Sequence, residues 1–218
     1  KFLTMAQIAE RLGKATGSPI GSFTATSLRA RLTNLMTPWV NEGFFANVVA
    51  LVEGESDQSA ILEVARQVGI DFEKAGISVI PVRGKTNLPI PFLIFSELGI
   101  PVYVVFDCDR NKGKDGKPEI NKLLLKLCGY PEEESPDTAL RVNMACFENE
   151  LEDILKSEIG EATYNQLREQ YSHELGYTAK EGETNPLVVG RLVQTTYERG
   201  GKIKALEQIV ANIVALKR

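Results

Sequence analysis

Apolar residues along this chain follow two rhythms. Residues 47–52, 77–82 and 100–106 are apolar at nearly every position, too short for helices and too continuous for surface strands. Such runs are what a parallel sheet covered on both faces requires. A fourth run, 139–146, alternates through Leu140, Val142 and Met144 and reads as one more strand. Between the strands, apolar residues recur at helical spacing: Ala60, Ile61, Val64, Ala65 and Val68 before Gly69; residues 91–98 before Gly99; and Ile120, Leu123, Leu124 and Leu127 before Gly129. Helices are also expected at about 160–172, 186–199 and 203–216, and towards the start at 26–36. Met5, Ile8, Ala9 and Leu12 mark a further turn that Gly13 could end, and Pro38-Trp39 breaks the helix before it. Strand and helix alternate, so the expected class is α/β, a mostly parallel sheet flanked by helices, with a C-terminal helical extension. The expected division is a helical lead-in over 1–46, a catalytic domain over 47–156 and a helical subdomain over 157–218.

Three strands run directly into acids. The first is followed by Glu53-Gly54-Glu55-Ser56-Asp57, the third by Asp107-Cys108-Asp109, and the fourth by Glu148, Glu150 and Glu152. Ligands of open parallel sheets bind at the carboxyl ends of strands, so the three groups are expected to converge there. Each has a plain structural explanation when taken alone: a helix cap at Ser56 or Asp57, or an acidic first helical turn at 148–153. Asp-x-Asp behind a buried strand is harder to explain so. If the strand geometry persists to Asp109, both carboxylates share a side, and like charges held together need a cation or a shared proton.

The chain holds a single histidine, His173, and three widely spaced cysteines, Cys108, Cys128 and Cys146, which excludes a His-rich centre and suggests neither a zinc motif nor a disulfide framework. An all-oxygen set selects a hard cation, Mg²⁺ or Mn²⁺. Six carboxylates (Glu53, Asp57, Asp107, Asp109, Glu150 and Glu152) exceed what one such ion takes from protein, so two ions are expected, as in phosphoryl transfer and phosphodiester hydrolysis. Asp107 is the best placed to bridge them.

A net charge of −4 argues against a protein that coats nucleic acid, but not against an enzyme touching it locally. Arg83 and Lys85 behind the second strand, and Arg110 and Lys112 behind the third, are candidate contacts to DNA phosphates. Gly84-Lys85-Thr86 is not a P-loop, because that motif needs a glycine at position 79, which is Val. No apolar run is long enough to span a membrane, no signal-peptide pattern is present, and a reducing, cytoplasmic setting is the default. The start at Lys1 hints at a fragment of something longer.

The acid pattern resembles the Toprim domain: Glu53-Gly54-Glu55-Ser56-Asp57 after strand one, and Asp107-Cys108-Asp109 beginning 54 residues after Glu53. More finely, it resembles the OLD (overcoming lysogenization defect) family of ATP-dependent nucleases. That likeness spans about residues 38–216. It rests on Glu42-Gly43-Phe44-Phe45-Ala46 leading into Val49-Ala50-Leu51-Val52-Glu53-Gly54, on Asp57, on Leu151-Glu152 and on a C-terminal lysine. The resemblance implies a Toprim fold and a two-metal DNA endonuclease. Glu53 would serve as metal ligand or general acid/base, with Asp107 and Asp109 as ligands. Lys202 would be the catalytic lysine, with Lys204 its competitor. It also implies an ATPase domain on the N-terminal side; no Walker A motif occurs here. Two other readings compete. A haloacid-dehalogenase-like phosphatase would use Asp107 as nucleophile but leaves Glu53 and Asp57 unexplained, and a Toprim module could bind DNA without cutting it.

Overall fold

The computed structural model describes residues 3–18 and 21–217. Helix α1 (Met5–Thr16) opens with a reciprocal cap, the Thr4 hydroxyl accepting from Gln7 N while the Gln7 side chain accepts from Thr4 N. It runs through Gly13 and stops at Gly17 in the left-handed conformation, one turn later than expected. Helix α2 (Ala25–Leu35) follows, then α3 (Pro38–Gly43). Pro38 ends one helix and begins the next: at the first helical position its missing N–H and fixed φ cost nothing. The alternating part then runs β1 (Val48–Val52), α4 (Glu55–Gln67), the short α5 (Phe72–Ala75), β2 (Ile77–Pro81), α6 (Pro89–Leu98), β3 (Val102–Asp107) and α7 (Pro118–Leu127).

The expected single strand over 139–146 is instead a hairpin, β4 (Ala139–Leu140) antiparallel to β5 (Met144–Phe147). Arg141 N donates to Met144 O at 2.7 Å, and Val142 stands at the bend, 71% exposed. The turn contains neither Gly nor Pro, so the period-two pattern passes through it unbroken. The rest is helical: α8 (Leu151–Ile159), α9 (Glu161–Glu174), the unexpected five-residue α10 (Ala179–Glu183), α11 (Pro186–Glu198) and α12 (Lys204–Ala215).

The five strands form one sheet in the order β2-β1-β3-β5-β4. All neighbours are parallel except β4 with β5, so β1, β2, β3 and β5 bring their carboxyl ends to one rim. Both faces are covered. Val48, Ala50, Val52, Tyr103 and Val105 pack beneath α4, α11 and α12, while Val49, Leu51, Val104 and Phe106 pack beneath α6 and α7. Every residue of β1 is fully buried, which is why its sequence shows no alternation. Helices α1 and α2 form a third apolar cluster with α6. The sheet ends on its outer side at β2, where Trp39, Phe45, Leu62 and Phe72 line a cleft of about 540 Å³. Among the described residues no helix is long and apolar enough to cross a membrane.

Candidate active site

Glu53 follows the last residue of β1, and its carboxylate is the knot of the rim. Oε1 accepts from Asp107 N at 2.8 Å and Oε2 from Lys85 N at 2.9 Å, so one side chain joins the ends of three strands. Gly84 N also donates to the Glu53 carbonyl at 2.9 Å. Four residues on, Asp57 lies in the first turn of α4 and accepts from Gly54 N through Oδ2 at 2.8 Å. It therefore does the capping work its sequence position allowed, and also faces the rim.

Beyond the last strand pairing, the two loops that follow β3 and β5 stay zipped together. Cys108 N donates to Phe147 O at 2.8 Å, Asp109 N to Asn149 O at 3.1 Å, and Arg110 N to Glu148 O at 3.1 Å. This zipper carries the third acid group to the first two. Glu150 stands at the N-terminal boundary of α8, its side chain making no capping bond, and Glu152 sits in the first turn. Burial pushes the Glu152 carboxyl up to about 7, and repulsion from Glu150 adds to it. Burial likewise lifts Asp57 to about 7, opposed by the Gly54 amide and reinforced by Glu53 and Glu152. Asp107 is raised well above the ordinary carboxylate range by burial first, then by Glu53, Asp57, Glu152 and Asp109. Glu53 is raised by burial against the opposing Asp107 amide. Glu53, Asp57, Asp107 and Glu152 thus share one desolvated, mutually repelling neighbourhood, and among the described residues nothing donates to the Asp107 carboxylate.

Asp109 is placed differently. Its backbone turns left-handed (φ 52°), so the extended geometry ends at Asp107 and the two carboxylates do not share a strand face. Its two oxygens are taken by cations, Lys85 Nζ at 2.8 Å and Lys112 Nζ at 2.7 Å. Lys112 also lies 3.9 Å from Glu150. Gly116 packs so tightly over this turn that a Cβ there would come within 2.4 Å of the Asp109 carbonyl oxygen. Buried Asn121 donates to the Cys108 and Glu134 carbonyls at 2.9 and 2.8 Å, tying α7 beneath the same turn.

The expected phosphate contacts are corrected in part. Lys85 is only 5% exposed and its ammonium points inward, to the Asp107 carbonyl and Asp109, so it is not presented to a ligand. A lysine's stem is apolar enough to be buried when its charge is met, and nothing in the sequence Gly84-Lys85-Thr86 reveals that it is. Arg110 is engaged by Glu148, Asp137 and the Ser135 carbonyl at 2.6 to 2.7 Å, which also removes Glu148 from the acids at the rim. Lys112 remains half-exposed, and Arg83 is exposed with no ion pair among the described residues. Lys202 and Lys204 are exposed at the start of α12, and among the described residues no hydrogen bond or ion pair links them to the acids; the neighbouring Ala205 N donates to Glu158 at the far end of α8.

The donor set fits a hard divalent cation by chemistry: all oxygen, anionic, desolvated and repelling. Among the described residues no three such side chains stand within metal-holding reach of one another, so ligation needs side-chain rotation. Asp109 would have to part from a lysine, whereas the Asp107 carboxylate accepts no hydrogen bond among the described residues.

Residues 44–109 match the OLD-like Toprim domain, "overcoming lysogenization defect protein-like". The fold is that of the C-terminal region of the Burkholderia pseudomallei OLD protein, with a TM-score of 0.57, 19% identity and coverage of 80% of this chain and 100% of that one. The C-terminal region of the Xanthomonas campestris pv. campestris OLD protein is similar too, with a TM-score of 0.53, 20% identity and coverage of 80% and 96%. No curated protein matches the chain. The domain match ends at Asp109, short of Glu150, Glu152 and Lys202.

Proposed function

With residues 44–109 an OLD-like Toprim domain on the fold of OLD C-terminal regions, we propose that this chain is a Mg²⁺- or Mn²⁺-dependent DNA endonuclease. The observation that carries the proposal is the gathering of Glu53, Asp57, Asp107 and Glu152 from three strand ends into one repelling group. Asp107, Asp57 and Glu152 would hold the metal, two ions in the full reading, with Glu150 and Asp109 at the periphery. A divalent ion there would lower the pKa of water and neutralise charge gathering on a scissile phosphate. The chain's own contribution is order. Glu53 fixes the amides of Lys85 and Asp107, and Lys85 fixes the Asp109 turn. Asp57 and Glu152, with carboxyls raised to about 7, would give up their protons on holding a cation. We assign the charge-neutralising lysine to Lys112 rather than Lys202, because Lys112 already stands at Asp109 and Glu150. An N-terminal ATPase domain in the full-length protein is part of the same proposal.

The test incubates supercoiled plasmid with the protein and Mn²⁺, beside Asp107→Ala and a chelator control. Nicking or linearisation by the wild type alone supports the reading. Equal cutting by Asp107→Ala would sink it. Phosphate release from small phosphomonoesters with DNA untouched would favour a phosphatase, and binding without cutting in any divalent metal would favour a DNA-binding module. Lys112→Ala is expected to cut more slowly than Lys202→Ala, and the reverse order would return the role to Lys202.

A further inference from the structure

The loop after β2, whose Gly84 and Lys85 amides bond to Glu53, also lines a cavity of about 310 Å³ with no acidic residue among the eight that line it. Its polar lining is Arg31 from α2, Thr37 at the cap of α3, and Arg83, Thr86 and Asn87 from the loop. Neither arginine makes an ion pair among the described residues, and the Thr86 hydroxyl has no hydrogen-bond partner there. Two unpaired guanidinium groups with hydroxyls beside them suit a phosphate, which arginine meets with paired donors. The Arg31 guanidinium is steadied over the Phe23 ring at 5.8 Å.

Backbone conformation gives an independent sign. Arg83 has φ 61°, a left-handed geometry that glycine or asparagine adopts far more readily than arginine. Asn87 holds the turn in place, its Nδ2 donating to both the Val82 and Arg83 carbonyls at 2.9 Å. A charged residue kept in a strained position by its neighbours is a mark of use. The same loop is bolted to the site, since the next two residues, Gly84 and Lys85, bond to Glu53.

We infer that this cavity seats a DNA backbone phosphate neighbouring the one being cut, held between Arg31 and Arg83. The inference rests on the nuclease reading above and deepens it: the helices before β1 become part of the substrate platform, and Arg83 keeps the phosphate contact expected of it, with Arg31 as partner in place of Lys85. The ligand is a phosphodiester, because two guanidinium groups with hydroxyls beside them and no carboxylate in the lining suit an anion.

The experiment measures binding of a short labelled duplex by fluorescence anisotropy, in chelating buffer, across a range of salt. Arg31→Gln and Arg83→Gly are each expected to weaken binding about tenfold at fixed salt. Each should also lower the slope of log affinity against log salt by roughly 0.9, the signature of one lost phosphate contact. Glycine suits φ 61°, so Arg83→Gly keeps or raises the melting temperature, separating lost contact from lost fold. Arg29→Gln removes the same charge from the same helix but outside the cavity and should bind as wild type. Wild-type affinity and slope in both cavity variants, with DNA still bound, would overturn the phosphate seat alone. Equal losses in all three variants would show a diffuse field and also overturn it. Failure of the wild type to bind DNA at any salt would overturn the nuclease reading and the seat with it.

Discussion

Asp107 and Asp109 are two residues apart and meet opposite environments. Asp109 is neutralised by two lysines, whereas Asp107 faces Glu53, Asp57 and Glu152 with no donor of its own among the described residues. Replacing Asp107 with Asn removes one charge from that group. Asp107→Asn is therefore expected to melt higher than wild type at pH 8 in chelator, by on the order of 1 kcal/mol, while losing metal-dependent cutting. A lower melting point would mean the carboxylate is favourably paired. Linkage gives a second outcome. Asp57 and Glu152 have folded pKa values raised from 3.8 and 4.5 to about 7, so the folded state binds more protons than the unfolded chain between those limits. The associated stability is full below pH 4 and lost as pH rises through about 7. Within that window, urea midpoints in chelator should fall from pH 5 to pH 7.5, set against whatever other groups contribute. Mn²⁺ should restore the loss at the higher pH, by about 2.7 kcal/mol at a hundredfold excess over its dissociation constant. A midpoint at pH 7.5 indifferent to Mn²⁺ would speak against a metal site. Lys85→Ala should cost about 1–3 kcal/mol in urea unfolding, since it removes a buried ammonium from the Asp107 carbonyl and from Asp109, which keeps Lys112 as its remaining partner. At this scale the sequence exposed the acids, because carboxylates behind buried apolar runs are conspicuous. It hid their partners: whether a lysine turns inward or outward is decided by which loop passes above it.

Elements were legible where burial imposes a rhythm. The first three strands, β1, β2 and β3, emerge from their continuous apolar runs, and α4, α6 and α7 from their apolar faces and glycine stops. Illegible were the places where two devices leave the same trace. The bend at Val142 preserves alternation, so two antiparallel strands read as one. The turn at Asp109 begins where the apolar run ends, so its departure from the strand leaves no mark. That turn is held by packing from the loop above it. Gly116→Ala would push a methyl to 2.4 Å from the Asp109 carbonyl oxygen and to 2.8 Å from its Cβ. The backbone must shift, at a cost of about 1–3 kcal/mol, and take Asp109 with it. The expected result is a folded protein with slower Mn²⁺-dependent cutting; unchanged activity would show that the position of Asp109 is not critical.

For the molecule as a whole, the C-terminal helices are structural partners of the sheet and not an appendage. Ile209, Val210 and Ile213 of α12 and Val189, Leu192 and Val193 of α11 share one buried cluster with Val48, Ala50 and Val52 of β1. Ile209→Ala should therefore cost about 2–5 kcal/mol of global stability, seen in circular dichroism melting, although it lies far along the sequence from the acids. A loss under 1 kcal/mol would show that α12 is loosely held. Periodicity identified both helices but not their seat, because an apolar stripe says that a surface is covered and not by what.

The cleft along β2 has a spectroscopic consequence. Trp39 is the chain's only tryptophan, and it stands there 49% exposed, beside the outermost strand and away from the acids. An indole so placed is expected to emit as a wetted one already in the native protein. Intrinsic fluorescence is therefore nearly blind to global unfolding and to metal at the rim, but a molecule settling against β2 would turn it blue.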